Sequence, residues 1–345
     1  MAEKRTAGAQ IKEIAERLGV SQSTVSVVLG GRGDSVRISK ETQKRVQDMA
    51  REMNYRPNIY ARRLRHAEEE VPYVIAVFWR MDNLNSRIGR FIRGLYEAAE
   101  RKKCRVEMVI QPYKPGELMA HADMLSGNRI SGAIISGLST ADQQELEKGE
   151  YSVPIILIER ESARFHCIIM DTYRTGEQCI AYMAAPEVRT AAFIGFDNNN
   201  RSERKMEAGF AYGCRDRGIR VKEDWNAYLE CSSYENGYGA AEKVLANVEL
   251  PSAWLVADCR LAGGILDCIH DRGLRIPEDI RLIFFEDSEI LKYNKPPLSS
   301  VDVPAYEMAE TALDIVLPAG YQQMDIPIRR ELAPLYFIRE SSGKQ

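Results

Sequence analysis

The chain has 345 residues, of which 45% are hydrophobic and 28% are charged, values that fit a globular protein and exclude a disordered or membrane-embedded one. No apolar run approaches the roughly 18 to 20 residues that span a bilayer, and the amino terminus contains no apolar stretch of a secretory signal, so we expect a cytoplasmic protein. The net charge of -3 is unevenly distributed, because residues 1–66 contain 14 Lys or Arg against seven Asp or Glu, which gives +7 and leaves -10 for the rest. A basic end suits the phosphate backbone of a nucleic acid, although a solvated helical surface would have the same charge.

Cysteine and histidine spacing argues against a metal site or a disulfide framework. The seven cysteines are odd in number and never form C-x-x-C, and the four histidines form no metal-binding pair. We therefore expect reduced cysteines, no metal and no cofactor.

The first elements in chain order are two short helices. Apolar residues recur at helical spacing at Ile11, Ile14, Ala15 and Leu18. This spacing predicts a helix over 11–18 that Gly19 ends. Ser21 is a plausible N-cap of a second helix with apolar positions at Val25, Val28 and Leu29. Two helices joined by so tight a turn indicate a helix-turn-helix motif.

The second helix presents a polar face near its amino-terminal end. Gln22, Ser23 and Ser26 point away from its apolar stripe, where a recognition helix contacts base edges in the major groove. Gln22 is the best candidate base reader because glutamine can bind adenine in a bidentate way. The two serines can reach either bases or phosphates.

A third helix completes this small domain. Ser39 is its predicted N-cap, and its inner face comprises Val46, Met49, Ala50 and Met53. Pro57 breaks the pattern, and the following segment 59–65 is too short to be a stable helix unless DNA or a second copy holds it.

These residues resemble the LacI/GalR family of bacterial regulators. The matching residues are Ile14-Ala15, Leu18-Gly19-Val20-Ser21, Thr24-Val25-Ser26, Val28-Leu29, Ser39-Lys40-Glu41-Thr42, Val46, Tyr55-Arg56-Pro57-Asn58, Ala61 and Leu64. The resemblance implies a hinge helix at 58–65 that lies in the minor groove, with Leu64 wedged between base steps. Leu64 could instead pack against a second copy. The DNA-binding residues implied are Ser21, Gln22, Ser23, Thr24, Ser26, Val27, Tyr55, Asn58, Ala61 and Leu64.

Two departures from the family pattern concern the operator. Val27 replaces an arginine that often reads guanine, and it offers only an apolar contact such as one with a thymine methyl group. The loop from Gly30 to Ile38 is longer than in many relatives, and its Arg32 and Arg37 either contact phosphates or remain solvated. We therefore expect an operator that differs from the usual one.

From Val71 the pattern changes to alternating strands and helices. The predicted buried parallel strands are Tyr73–Trp79, Arg105–Ile110, Gly132–Ser136, Pro154–Ile158, Ile168–Asp171, Thr190–Ile194, Trp254–Val256 and Leu282–Phe285. This alternation indicates a doubly wound α/β arrangement.

The family resemblance extends more loosely over this region, through Arg93-Gly94, Gly132-Ala133-Ile134-Ile135, Gly209-Phe210, Val256-Ala257-Asp258 and Pro297-Leu298-Ser299-Ser300-Val301. The implied fold class is an all-α helix-turn-helix DNA-binding domain plus an α/β periplasmic-binding-protein-like two-lobed domain. The expected divisions are the DNA-binding domain at 1–57, the hinge helix and linker at 58–70, and the effector-binding and dimerisation domain at 71–345. Within the last, lobe one is expected at 71–169 and 301–328, and lobe two at 170–300 and 329–341.

The resemblance also implies effector-binding residues in the cleft of the large domain, at the carboxyl ends of strands. The candidates are Trp79, Asp171, Arg204, Met206, Asp258 and Glu286. Carboxylates suit sugar hydroxyls because they accept paired hydrogen bonds. Asp171 could instead be only a helix N-cap, and Trp79 only a core residue.

Several positions depart from the family pattern around this predicted site. Met206 occupies a position where relatives often have a ligand-binding arginine, and the segment 85–88 reads Asn-Ser-Arg-Ile in place of the usual Asn-Pro-Phe-Phe. Glu286-Asp287 and Asp258-Cys259 likewise differ from the usual acidic or amide pairs. A simple sugar ligand is therefore an expectation from the resemblance only.

The function that these observations predict is a homodimeric, sequence-specific transcriptional regulator, a repressor by resemblance, whose affinity for double-stranded operator DNA is controlled by a small ligand. One alternative is an enzyme of α/β fold with an attached DNA-binding domain, although no phosphate-binding loop or nucleophile motif occurs. A ligand-free architectural DNA-binding protein is the other alternative.

Overall fold

The computed structural model describes residues 7–29, 33–34, 36–53, 72–81, 86–126, 130–151, 153–196, 201–317 and 326–343. The predicted hinge helix at 58–65 lies outside these ranges. The chain divides into two compact units, one formed by 1–168 with 308–329 and the other by 169–307 with 330–345. Among the described residues, no helix is both long and apolar enough to cross a membrane.

Three helices form the amino-terminal part of the first unit: α1 (Ala7–Leu18), α2 (Gln22–Leu29) and α3 (Lys40–Glu52). The helix α1 begins four residues earlier than predicted and ends at Gly19, whose φ of 66° suits glycine. The three helices enclose a core of Ile14, Ala15, Val25, Val28, Val46 and Ala50, with the predicted Met49 and Met53 partly buried at its edge. Periodicity and caps therefore predicted this part of the fold correctly.

The rest of the first unit is built around a parallel sheet. Its elements are β1 (Tyr73–Arg80), α4 (Ser86–Arg101), β2 (Val106–Tyr113), α5 (Ala122–Ser126), β3 (Gly132–Ser136), α6 (Thr140–Lys148), β4 (Ile155–Ile158) and β5 (His166–Met170). The strand order is β2-β1-β3-β4-β5, and β12 (Arg329–Leu332) joins beyond β5. The strands β1, β3, β4 and β5 are buried in the apolar runs that predicted them, whereas β2 lies at the edge and is half exposed.

The second unit repeats this arrangement. Its elements are α7 (Thr172–Met183), β6 (Thr190–Phe196), α8 (Arg201–Asp216), β7 (Arg220–Val221), β8 (Ala227–Leu229), α9 (Tyr234–Leu245), β9 (Ala253–Val256), α10 (Ala262–Asp271), β10 (Arg281–Phe285), α11 (Glu289–Tyr293), β11 (Ser299–Asp302), α12 (Ala305–Val316) and β13 (Leu335–Phe337). The strand order is β7-β6-β9-β10-β11-β13, and β8 also pairs with β6. The residues 308–316 of α12 belong to the first unit.

With β8 left aside, both sheets therefore have the same order of parallel strands. This order is β2-β1-β3-β4-β5 in the first sheet and β7-β6-β9-β10-β11 in the second. The order reverses between β1 and β3 in the first sheet and between β6 and β9 in the second. Ligands of open α/β sheets bind beside such a reversal, at the carboxyl ends of the strands. The α/β fold class expected from the sequence is confirmed, and the fold indicates where each unit should be searched for a site.

Candidate functional site

The candidate DNA-binding element is α2. Val25 and Val28 fix its inner face in the three-helix core, so that Gln22 and Ser23 are exposed on its first turn. Ser26 and Val27 follow one turn later and are half-buried. This is the arrangement expected of a recognition helix, in which a rigid apolar face orients a short polar one.

Ser21 caps α2, as the sequence predicted. Its Oγ accepts a hydrogen bond from the backbone N–H of Thr24 at 3.0 Å and lies 2.7 Å from Ser23 Oγ and 2.9 Å from Thr24 Oγ1. A hydroxyl has one donor and two acceptor positions, so these three contacts occupy its hydrogen-bonding capacity. Ser21 thus orders the first turn of α2, on which Gln22 is exposed.

Hydrogen bonds connect the loop after α2 to α3. Asp34 accepts hydrogen bonds from Lys40 Nζ at 2.7 Å and from Gln43 Nε2 at 2.9 Å, and the amide of Gln43 also donates to the carbonyl of Ile38 at 2.8 Å. The hydrogen bonds from Lys40 and Gln43 hold the pKa of the exposed Asp34 carboxyl below its usual value. Of the predicted DNA-contacting residues, Tyr55, Asn58, Ala61 and Leu64 lie outside the described residues.

In the second unit, Asp258 lies two residues after the end of β9, at the reversal of strand order. Its carboxylate accepts hydrogen bonds from the Arg260 guanidinium at 2.6 to 3.0 Å, from the Arg260 backbone N–H at 2.8 Å and from Ser232 Oγ at 2.7 Å. The hydrogen bond to Asp258 raises the pKa of Arg260. Burial, reinforced by Asp258 and Glu286, raises the pKa of the Cys259 thiol to about 12. Asp258 thus binds the side chain of Arg260, and Glu286 adds negative charge that acts on the same guanidinium.

Glu286 and Asp287 follow β10 and have different surroundings. Glu286 is buried and has a φ of 68°, a backbone conformation that residues other than glycine seldom adopt. Asp287 instead accepts hydrogen bonds from Arg339 at 2.8 and 3.2 Å and from Ser300, which connects the end of β10 to the carboxyl-terminal segment. The pair therefore separates into one residue at the candidate site and one structural residue.

The remaining predicted effector residues differ in their exposure to solvent. Asp171 caps α7, accepting from the backbone N–H of Arg174 at 3.0 Å, so the N-cap role is observed, and its side chain remains partly exposed. Arg204 is exposed on the first turn of α8. Trp79 and Met206 are both almost completely buried within hydrophobic cores, which is the alternative that the sequence left open for Trp79. Neither presents surface to a ligand in this structure.

Sequence reasoning missed a polar group at the carboxyl ends of the first sheet. Arg80 ends β1 and donates to the carbonyl of Gly137, just after β3, at 3.4 Å. Arg87 of α4 forms a salt bridge of 2.6 Å with Glu159, just after β4. Arg87 belongs to the segment 85–88 that departs from the family pattern, so that departure was the available signal.

Glu159 and Glu286 occupy equivalent places in the two sheets. Each follows the fourth strand of the order, and each has a positive φ, 57° and 68° respectively. Each also donates its backbone N–H at 2.8 Å to a carbonyl of the fifth strand, Ile168 in β5 and Val301 in β11. The two units therefore place a glutamate at the same corner of each sheet.

Two family comparisons agree with these two kinds of domain. Residues 10–58 match the family described as bacterial regulatory proteins, lacI family. Residues 180–342 match the periplasmic binding protein-like domain.

Similar proteins were found along almost the whole chain. The fructose operon regulatory protein of Vibrio cholerae is 26% identical over 327 residues, which are 94% of this chain and 97% of that protein. The sucrose operon repressor of Klebsiella pneumoniae is 25% identical over 342 residues, 97% of this chain and 99% of that protein. A crystal structure of a LacI family transcription regulator from Clostridium acetobutylicum covers 77% of this chain and 99% of its own, with 28% identity and a TM-score of 0.72.

Proposed function

Because the chain belongs to the lacI family of bacterial regulatory proteins, we propose that it is a homodimeric repressor that binds a specific operator and responds to a small ligand. Its proposed place of action is the cytoplasm, where operator DNA is accessible. The domain divisions expected at 1–57, 58–70 and 71–345 are part of this proposal. The similar proteins named above are regulators of operons, which supports a regulator over an enzyme.

The observation on which the proposal depends is the exposed first turn of α2 on a compact three-helix core. Gln22 is exposed, Ser21 caps the helix and Val27 is half-buried on the following turn. Gln22 is therefore proposed to read an adenine, and Val27 to contact a thymine methyl group. The surplus of positive charge over residues 1–66 attracts the phosphates on either side.

Selection of bound sequences from random duplex DNA tests this proposal directly. The purified full-length protein should enrich a palindrome, because two copies read two half-sites. Gln22→Ala should weaken binding to that palindrome by roughly 5- to 150-fold, equivalent to the 1–3 kcal/mol of one bidentate contact. Gln47→Ala, at an exposed position of α3, should leave affinity unchanged. Enrichment of no sequence, or equal losses in both variants, would count against the proposed reading mode.

The ligand is proposed to be a sugar or sugar derivative bound at the carboxyl ends of the strands. The names of the two curated relatives refer to fructose and sucrose operons, and Asp171, Asp258 and Glu286 supply the carboxylates that hydroxyl groups need. Arg204 is the candidate cation of the second unit. Operator affinity should change when the right compound is added, and the operator must change the affinity for that compound by the same factor. A panel that never alters operator affinity would contradict ligand control.

Dimerisation is proposed from two exposed apolar surfaces, one on each unit. In the first unit, Tyr96 of α4 lies exposed, as do Val109 and Ile110 of the edge strand β2. In the second unit, Ile290 and Tyr293 of α11 are 68% and 70% exposed. Exposed apolar side chains of this size are candidates for protein–protein contacts.

Light scattering after size-exclusion chromatography tests these surfaces. Ile290→Arg should increase the monomer fraction, whereas Val248→Arg, at an equally apolar and fully exposed position of the same unit, should not. A wild-type protein that remains monomeric at micromolar concentration would refute the homodimer.

A further inference from the structure

A groove beside α8 in the second unit has the size of a small-molecule site. Its volume is about 690 Å³, and nine residues line it. They come from Tyr173 on the first turn of α7, from the second half of α8 and from the segment 218–221 that leads into and forms β7. Sites for small ligands have volumes of about 300 to 1,000 Å³ and mostly apolar walls with a few polar groups. This groove is therefore large enough for a ligand of one or two rings.

The groove is separate from the candidate effector residues of the same unit. Asp258 and Glu286 follow the carboxyl ends of β9 and β10. The strand β7, in contrast, is the outermost strand on its side of the sheet and pairs with the first two residues of β6. This wall of the groove therefore lies at the amino ends of the parallel strands, and none of the lining residues is one of the predicted effector residues.

Two tyrosine rings form an aromatic part of the groove. Tyr173 and Tyr212 are 36% and 40% exposed, and their ring centroids lie 6.1 Å apart with an angle of 42° between the planes. The backbones that carry them are closely packed, because a Cβ atom at Gly209 would lie only 1.8 Å from the carbonyl oxygen of Tyr173. Phe210 also anchors α8 in the core. A third aromatic ring can thus pack against two rings on a rigid support.

Arg215 gives the groove a positive charge. Its guanidinium carbon lies 5.4 Å from the ring centroid of Tyr212, and within the part of the chain that the structure describes its side chain forms no salt bridge or hydrogen bond. Arg220, the other arginine of the groove, is instead paired with Glu249, whose carboxylate lies 2.9 Å from its Nη1. None of the nine lining residues is acidic. Arg215 is therefore the cation that can bind a negative group of a ligand.

A simpler explanation exists for Arg215 alone. It lies in the last turn of α8, where a cation is favourable because a helix carries a partial negative charge at its carboxyl end. This explanation requires neither a ligand nor the tyrosines. It accounts for the charge but not for a groove in which that charge lies beside two exposed aromatic rings, and the two explanations predict different results for the same variant.

We propose that this groove binds a small aromatic carboxylate. The ring of the ligand packs against Tyr173 and Tyr212, and its carboxylate accepts hydrogen bonds from Arg215. The guanidinium can remain stacked on Tyr212 while it binds, because its N–H donors lie in its own plane and match a carboxylate in a bidentate way. The site is additional to the sugar site proposed above and does not depend on the proposed repressor function.

Calorimetric titration of the full-length protein at constant ionic strength tests this proposal, with 2-naphthoate as the probe. Cyclohexanecarboxylate has the charge without an aromatic ring, and 2-naphthamide has the ring without the charge. We expect 2-naphthoate to bind several-fold more tightly than either. Equal affinity for cyclohexanecarboxylate would refute the aromatic contact, equal affinity for 2-naphthamide would refute the role of the charge, and absence of binding by 2-naphthoate would refute the site.

Two variants of the groove locate the binding. Arg215→Gln should weaken 2-naphthoate binding roughly tenfold or more, as loss of a hydrogen bond between charged groups implies. Tyr212→Leu should weaken it about two- to tenfold, because the aromatic contact is lost while an apolar side chain remains. All the substituted positions in this experiment are exposed, so the variants should fold.

Two matched variants of the same unit serve as controls. Arg272→Gln changes an exposed arginine that lies 3.5 Å from Glu242, and Tyr306→Leu changes a tyrosine that is 40% exposed, as Tyr212 is. Each should change the affinity for 2-naphthoate by less than about twofold. Losses in the controls equal to those in the groove variants would overturn the proposal. So would a lower melting temperature of Arg215→Gln with unchanged affinity, the result expected if Arg215 only stabilises the end of α8.

Discussion

The packing of α7 against α8 gives a sharp prediction for Gly209. A Cβ atom added at Gly209 would lie 1.8 Å from the backbone carbonyl oxygen of Tyr173, and one added at Gly176 would lie 1.9 Å from that of Met206. Ordinary carbon–oxygen contacts are about 3.3 Å or longer, so Gly209→Ala requires the helices to separate by about 1.5 Å. Both obstacles are backbone atoms, which cannot rotate away as a side chain could.

We expect Gly209→Ala to lower the free energy of unfolding by about 3 kcal/mol, the upper part of the range for overpacked cores. For a unit of this size that corresponds to a fall of about 6 to 12 °C in the melting temperature. Gly239→Ala is the matched control, because Gly239 is also inside a helix of the second unit and has nothing within 4 Å of its added Cβ. It should instead stabilise by up to about 1 kcal/mol. Calorimetry that found Gly209→Ala as stable as Gly239→Ala would refute the close-packing argument.

Two further predictions concern a helix cap and a buried histidine. Ser21→Ala and Ser39→Ala each remove a capping hydroxyl, so each should cost about 1 kcal/mol and speed amide hydrogen exchange in its helix; only Ser21→Ala should weaken operator binding, and equal effects on DNA would contradict the role of α2. Burial lowers the pKa of His166, whose Nδ1 accepts a hydrogen bond from the Ile328 N–H at 3.0 Å. Because the unfolded chain then binds more protons, this contribution to stability is complete above the ordinary value of 6.5 and falls as the pH drops below it. Measured by urea unfolding from pH 8 to pH 5, the fall in the free energy of unfolding should be smaller in His166→Gln than in the wild type. It should be unchanged in His270→Gln, because His270 is exposed. An unchanged fall in both variants would contradict the role given to His166.

Much of the fold followed from local pattern. The apolar buried strands were predicted by their apolar runs, and the three amino-terminal helices by their periodicity and by Ser21 and Ser39 as caps. The strands β7, β8, β11, β12 and β13 were missed because they have no such run. The strands β7 and β8 have only two and three residues, β12 and β13 have exposed or half-exposed residues, and the buried β11 is largely polar. Their pairing depends on segments that are distant in the sequence, as between Val301 and Tyr336, so the local amino-acid pattern does not predict it.

The candidate site likewise contains residues that local sequence identifies and residues that it does not. Residues within two positions of a strand end, such as Asp258 and Glu286, could be identified because the end of an apolar run is visible in the sequence. Arg87 could not, since its meaning depends on Glu159, 72 residues away, and on β1 and β4 having only β3 between them in the sheet. The sequence showed that the segment 85–88 departs from the family pattern, which on its own left a simple sugar as an expectation from the resemblance only. Sheet order gives the departure its structural meaning, because the arginine of that segment forms a salt bridge with Glu159 just after β4.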